Sequence, residues 1–249
     1  MDTVKKSTTN VANQVKGGGI KSIILMVVVL LLAYMLYQAV FGTKEKYLSK
    51  DVADAKTSQT IKTEDLPVNS ATSNYTYSMW FYVNDWNYKY GDEKVILQRT
   101  LNNANSPKVY LDKIQNNIAI DIDCTSPAGQ TQRSTCTLAN VPLQKWVNLI
   151  ISLNTRALDV YMDGKLVRTC LLPSPAIQNN TAPIYITPQG GFDGFTSAVK
   201  FIPNTINPQQ AYDIYVEGYG GGGLSSILGK YKLRVAILEN GQSVRQLTI

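Results

Sequence analysis

Apolar residues are distributed along this chain in two textures. Ile23 to Phe41 is an unbroken run, IILMVVVLLLAYMLYQAVF, with Gln38 its one clearly polar member. At about 1.5 Å per residue a helix of that length would span roughly 28 Å, close to the hydrocarbon core of a bilayer. From residue 75 the texture changes to alternation. Tyr75, Tyr77, Met79, Phe81 and Val83 fall on one face of a strand over Tyr75–Val83, because successive side chains of a strand point to opposite faces.

Further short strands are expected at Lys94–Arg99, Lys108–Asp112, Asn117–Asp123, Thr135–Leu138, Trp146–Leu153, Ala157–Met162, Lys165–Leu171, Ile184–Thr187 and Thr196–Ile202. Asp163-Gly164 between two alternating runs predicts a hairpin whose turn takes positive φ twice. Many short strands at this spacing predict an all-β antiparallel sandwich. One helix interrupts them over residues 207–216, with Asn207 suited to the N-cap and Pro208 to the first turn. Beyond the glycines at 218–223, residues 231–238 and 243–249 flank Asn240-Gly241 and predict a terminal hairpin. A hairpin alone is marginal in water and needs a docking surface, on its own domain or on a partner.

The expected organisation follows. Residues 1–19 form a polar, flexible N-terminus and 20–42 a single transmembrane helix. Residues 43–70 are a charged linker or stalk, 71–218 the β domain, and 219–249 a glycine hinge and hairpin. Lys5, Lys6, Lys16 and Lys21 precede the apolar run, so a single-pass membrane protein with a cytosolic N-terminus is expected, its lipid contact made by Ile23 to Phe41.

Net charge is +6, and the first 43 residues carry +3 of it. The remainder is thinly spread, so no nucleic-acid stripe is formed. There is no histidine. That removes the Ser-His-Asp arrangement and most zinc chemistry. Neither a cofactor nor a metal is expected, and no catalytic residue is assigned.

Several segments resemble one family. Tyr75–Val83 resembles the opening strand of the laminin-G-like, concanavalin A-like jelly roll. Pro142-Leu143-Gln144-Lys145-Trp146 is similar to the lead into a central strand of that family. Ala157–Val167 resembles its hairpin, and Gly191–Lys200 a later strand followed by the short helix. The segments come in the family's order over about residues 70–218. Together with an N-terminal anchor and a terminal hairpin, they resemble proteins of large DNA viruses of algae and protists. The resemblance implies two antiparallel sheets face to face and a binding surface for glycans or proteins. Expected partners are therefore a glycan or a capsid or other virion protein, and the expected location a virion inner membrane or a host-derived membrane.

Hydrolases with this fold pair carboxylates along one strand. Asp121 and Asp123 share a face but have no glutamate beside them, so a non-enzymatic module is the expectation and a glycoside hydrolase the weaker alternative. The loop after residue 84 is the candidate binding site. Trp86, Tyr88 and Tyr90 could stack on sugar faces, with Asp85 and Asp92 accepting hydroxyl hydrogen bonds. The competing reading packs Trp86 under its own loop. Cys124 and Cys136 bracket a loop between two strands. A disulfide between them, with Cys170 spare, is one reading and three free thiols the other. Asn74 and Asn179 match the N-glycosylation sequon.

Overall fold

The alternating segment forms the longest strand, β4 (Tyr75–Asp85), and all five of its expected inward residues lie in the core. The computed structural model describes residues 25–36, 46–67, 74–126, 128–178 and 180–220, and the backbone of 234–239 and 242–248. It divides into two units, Met1–Thr43 and Lys44–Ile249.

In the first unit the described segment is one helix, α1, over residues 25–36. Its twelve residues reach roughly 18 Å at 1.5 Å each, against about 30 Å of hydrocarbon. Among the described residues no helix is long and apolar enough to cross a membrane. The expected single-pass membrane localisation is corrected accordingly. Residues 1–24 and 37–45 lie outside the described residues.

The second unit is a sandwich. The seven-stranded sheet runs β1 (Lys46–Ser49), β13 (Asp193–Ile202), β4, β9 (Trp146–Asn154), β10 (Ala157–Met162), β11 (Lys165–Leu171), with β2 (Ala53–Asp54) also on β13. The six-stranded sheet runs β3 (Gln59–Ile61), β12 (Ile184–Ile186), β5 (Lys94–Leu101), β6 (Ala104–Leu111), β7 (Asn117–Thr125), β8 (Thr131–Ala139). All the pairings within these sheets are antiparallel. Between the sheets, β4 and β9 (Val147, Leu149, Ile151) face β6 and β7 (Val109, Ile118, Ile120, Ile122) in one apolar layer. Each such aliphatic side chain removed from water contributes about 1.5–3 kcal/mol.

The expected stalk is corrected by the strands β1, β2 and β3. They pair with β13 and β12 and form one edge of each sheet. They are two to four residues long and only partly buried, so they leave little alternation in the sequence. The opposite edges are β8 and β11, and a disulfide between Cys136 and Cys170 joins them, with Cα atoms 6.1 Å apart. Arg168 Nη1 also donates to the Thr137 carbonyl at 2.7 Å across the same gap.

That bond replaces the expected Cys124–Cys136 pair. In the β7–β8 register Cys136 faces Ile120, whereas Cys124 faces Gln132. The four-residue offset is about 13 Å along the strand, beyond the roughly 7 Å a disulfide tolerates. Cys124 is a free, buried thiol, and burial pushes its pKa up.

The Asp163-Gly164 turn takes positive φ at both residues, 49° and 74°. The helix α2 (Pro208–Glu217) begins with a capping box. Asn207 Oδ1 accepts from the Gln210 N–H, and Gln210 Oε1 accepts from the Asn207 N–H, both at 2.9 Å. Ala211 and Ile214 seat it on Ile150, Tyr161 and Ile202, covering part of the outer face of the seven-stranded sheet. The terminal hairpin is present as β14 (Arg234–Glu239) and β15 (Gln242–Thr248), a two-stranded sheet of its own. Its turn residues Asn240 and Gly241 lie outside the described residues.

Candidate functional site

The part of that outer face left open by α2 carries a row of aromatic rings. If odd positions of β4 point inward, Trp80, Tyr82 and Asn84 must point outward. Tyr82 pairs with Trp146 on one side and with Phe195 on the other. The Tyr82–Trp146 and Tyr82–Phe195 centroids are 5.8 and 6.3 Å apart. Gly194 permits this row. A Cβ there would fall 1.9 Å from the Tyr82 carbonyl oxygen, so any side chain would force β13 away from β4.

Val52, Tyr82, Asn84, Trp146 and Phe195 line an open pocket of 340 Å³, at the small end of ligand sites. Phe195 is 43% exposed. On the far side Tyr219 lies parallel to Trp146, with centroids 4.6 Å apart and planes at 5°, and Tyr215 stacks on Trp80 at 5.6 Å. The polar rim is pre-organised. Asn84 Nδ2 donates to Asp193 Oδ2 at 2.9 Å, and the Lys56 ammonium is paired with the other carboxylate oxygen. Lys56 and Asn84 together hold the Asp193 carboxyl below the usual carboxylate range. Apolar ring faces beside a fixed amide and carboxylate are the chemistry that takes a sugar, a C–H face against the rings and hydroxyls against the rim.

The loop expected to bind ligand is arranged differently. Asp85 Oδ1 is occupied by the Asn87 N–H and amide at 2.9 and 3.1 Å. Trp86 packs against the core, with the Lys94 ammonium 4.6 Å from its ring centroid. Lys94 is fully buried, and neither its Nζ nor Trp86 Nε1 has a hydrogen-bond partner among the described residues. Burial pushes the Lys94 pKa down, opposed by the charges of Asp112 and Asp92. Tyr88 donates to the Gly190 carbonyl at 3.1 Å. Tyr90 is 59% exposed and Asp92 lies at the surface. The structure thus brings the five residues into one loop but not onto one face.

Asp121 and Asp123 are also committed elsewhere. They are 5% and 1% exposed on the outer side of the six-stranded sheet. Arg133 grips Asp123 through Nε at 2.9 Å and Nη2 at 3.1 Å, and the Asn105 N–H adds a bond at 2.8 Å. Asp121 accepts from the Thr135 hydroxyl at 2.7 Å. Burial would raise the Asp123 pKa, but Arg133 and Asn105 outweigh it and hold the carboxyl below its ordinary value. A general acid needs the opposite shift. At the start of β4, Asn74 accepts from the Thr155 N–H at 2.9 Å, and its sequon threonine, Thr76, is fully buried. Asn179 lies outside the described residues.

A family model described as the concanavalin A-like lectin/glucanases superfamily, of laminin-G type, matches residues 55–211. The chain belongs to that superfamily. The matched span begins within the expected stalk, after β2 and before β3, so it takes in a strand, β3, that pairs into the six-stranded sheet. No curated protein matches the chain. Similar solved structures include the binding domain of botulinum neurotoxin serotype D, at 12% identity and a TM-score of 0.48, covering 60% of this chain and 40% of that one. The binding domain of botulinum neurotoxin DC in complex with rat synaptotagmin II has 12% identity and a TM-score of 0.47, covering 60% and 39%. The serotype G binding domain has 12% identity and a TM-score of 0.46, covering 73% and 50%. This chain therefore spans half or less of those toxin domains, and what they bind is a property of theirs.

The residues that sequence reasoning missed are Val52, Tyr82, Asn84, Trp146 and Phe195. Tyr82, Trp146 and Phe195 come from separate segments joined by strand pairing, Asn84 follows on β4, and Val52 comes from the connection between β1 and β2. The available signal was the outward parity of Trp80, Tyr82 and Asn84, where a solvent-facing strand position is ordinarily polar.

Proposed function

We propose that this chain is a non-enzymatic recognition module that binds a glycan on the outer face of its seven-stranded sheet. The observation that carries the reading is the row Phe195–Tyr82–Trp146 across three adjacent strands, open to solvent and bordered by Asn84 and Asp193. Rings already fixed by their strands lose little freedom when a ligand stacks on them. Membership of a lectin and glucanase superfamily supports a sugar ligand. The commitment of Asp121 and Asp123 to Arg133 and Thr135 favours binding over hydrolysis.

A glycan array probed with the full chain tests this. Binding should fall at least about tenfold, or about 1.4 kcal/mol, in Trp146→Ala and in Tyr82→Ala, and should be unchanged in Tyr90→Ala. Loss of binding on Tyr90→Ala alone would move the site to the 85–92 loop. No signal from any sugar would sink the glycan reading and leave a protein partner, such as a capsid protein, for the same face. Release of reducing ends from a bound polysaccharide would overturn the non-enzymatic assignment.

A further inference from the structure

The edge strand β11 has no neighbour on its outer side among the described residues. Edge strands in soluble proteins are usually guarded by charge, proline or brevity. This one is seven residues long and lacks proline. It carries Lys165 and Arg168 and a bulge at Val167, but Arg168 is turned to the Thr137 carbonyl of β8, and Leu166, Val167 and Leu171 are 49%, 48% and 73% exposed. It therefore presents free backbone hydrogen-bonding groups beside apolar side chains. The hairpin β14–β15 shows the complementary deficiency. Its strands are six and seven residues long and, among the described residues, pair only with each other, and two strands alone are marginal in water.

The path of the chain puts the two within reach. The end of α2 lies against the turn that begins β11, where a Cβ on Gly164 would meet the Tyr215 side chain at 3.0 Å. Thirteen residues, 221–233, then lead to β14, and that length extends to roughly 45 Å. We infer that the terminal hairpin docks on β11 of its own chain, adding its two strands to that edge of the seven-stranded sheet. Strand addition to a free edge draws affinity from main-chain hydrogen bonds. A tether of this length also makes the pairing intramolecular. The inference is independent of the glycan site.

Amide hydrogen exchange on the full chain tests it, run at several concentrations with the mass followed by light scattering. The N–H groups of Lys165–Leu171 that β10 does not take should exchange slowly in the monomer. Ala236→Pro, which breaks β14, should speed those amides at least tenfold while β9 amides stay protected. Deleting residues 224–249 should do the same, so the result does not rest on one variant. Fast exchange of the outer β11 amides in the intact monomer would overturn the inference. Protection that appears only as the mass doubles would also overturn it, in favour of a second copy on the edge.

Discussion

The Cys136–Cys170 bond closes a loop of 35 residues, since the cysteines are 34 apart in sequence. In the chain-entropy model a loop of that length removes about 13 cal/mol/K from the unfolded ensemble, or about 4 kcal/mol at 25 °C. For a domain of this size each kcal/mol shifts the midpoint by about 2–4 °C, so Cys136→Ala/Cys170→Ala should lower Tm by about 8–16 °C. Urea unfolding of wild type and variant, followed by tryptophan fluorescence and read at comparable m-values, measures the difference directly. Non-reducing digestion checks the pairing independently, because the crosslinked fragment must contain residues 136 and 170. Cys124→Ala is the control and should leave that crosslink in place. A destabilisation of less than about 1 kcal/mol, or a crosslink that includes Cys124, would refute the assignment.

Two further outcomes concern buried charge. Lys94 holds its proton less tightly folded than unfolded, so its penalty is fully present below its folded pKa and fades as pH rises towards about 10. Lys94→Met should stabilise the domain by about 1–3 kcal/mol at pH 7, and the advantage should shrink in alkaline solution. Tyr77 and Tyr110, pushed up to about 12 by burial, are common to both proteins and drop out of the difference. An advantage that stays constant with pH would contradict this account. For Asp123 the sign is reversed. Its depressed carboxyl contributes stability above about pH 4 that is lost as pH falls through the folded value. Arg133→Ala should therefore cost about 2 kcal/mol at neutral pH, and the loss should diminish in acid, as thermal melts across pH 2–7 would read.

Legibility in the sequence followed the strength of periodicity. The inward face of β4, the Asp163-Gly164 turn and the Asn207 cap each depend on residues within one local segment, and each was visible before folding. The strands β1, β2 and β3 were not, because a partly buried edge strand alternates too weakly to be told from a charged linker. The disulfide was misassigned because sequence proximity favoured Cys124, whereas the bond spans the two sheets. The aromatic row needed the register. Tyr82, Trp146 and Phe195 are far apart in sequence and become neighbours only through the β13–β4–β9 ladder.

The pairing of the first strands has a consequence for how the domain is made. Lys46 pairs with Phe201, and Gln59 with Ile186, so the strands synthesised first find their partners last. Loop closure over such separations slows folding towards milliseconds to seconds. During synthesis the six-stranded sheet stays open on that side until residue 186 has emerged, and the seven-stranded sheet until residues near 202 have. A nascent chain that stalls before residue 186 would leave β1 and β3 without the strands that complete them.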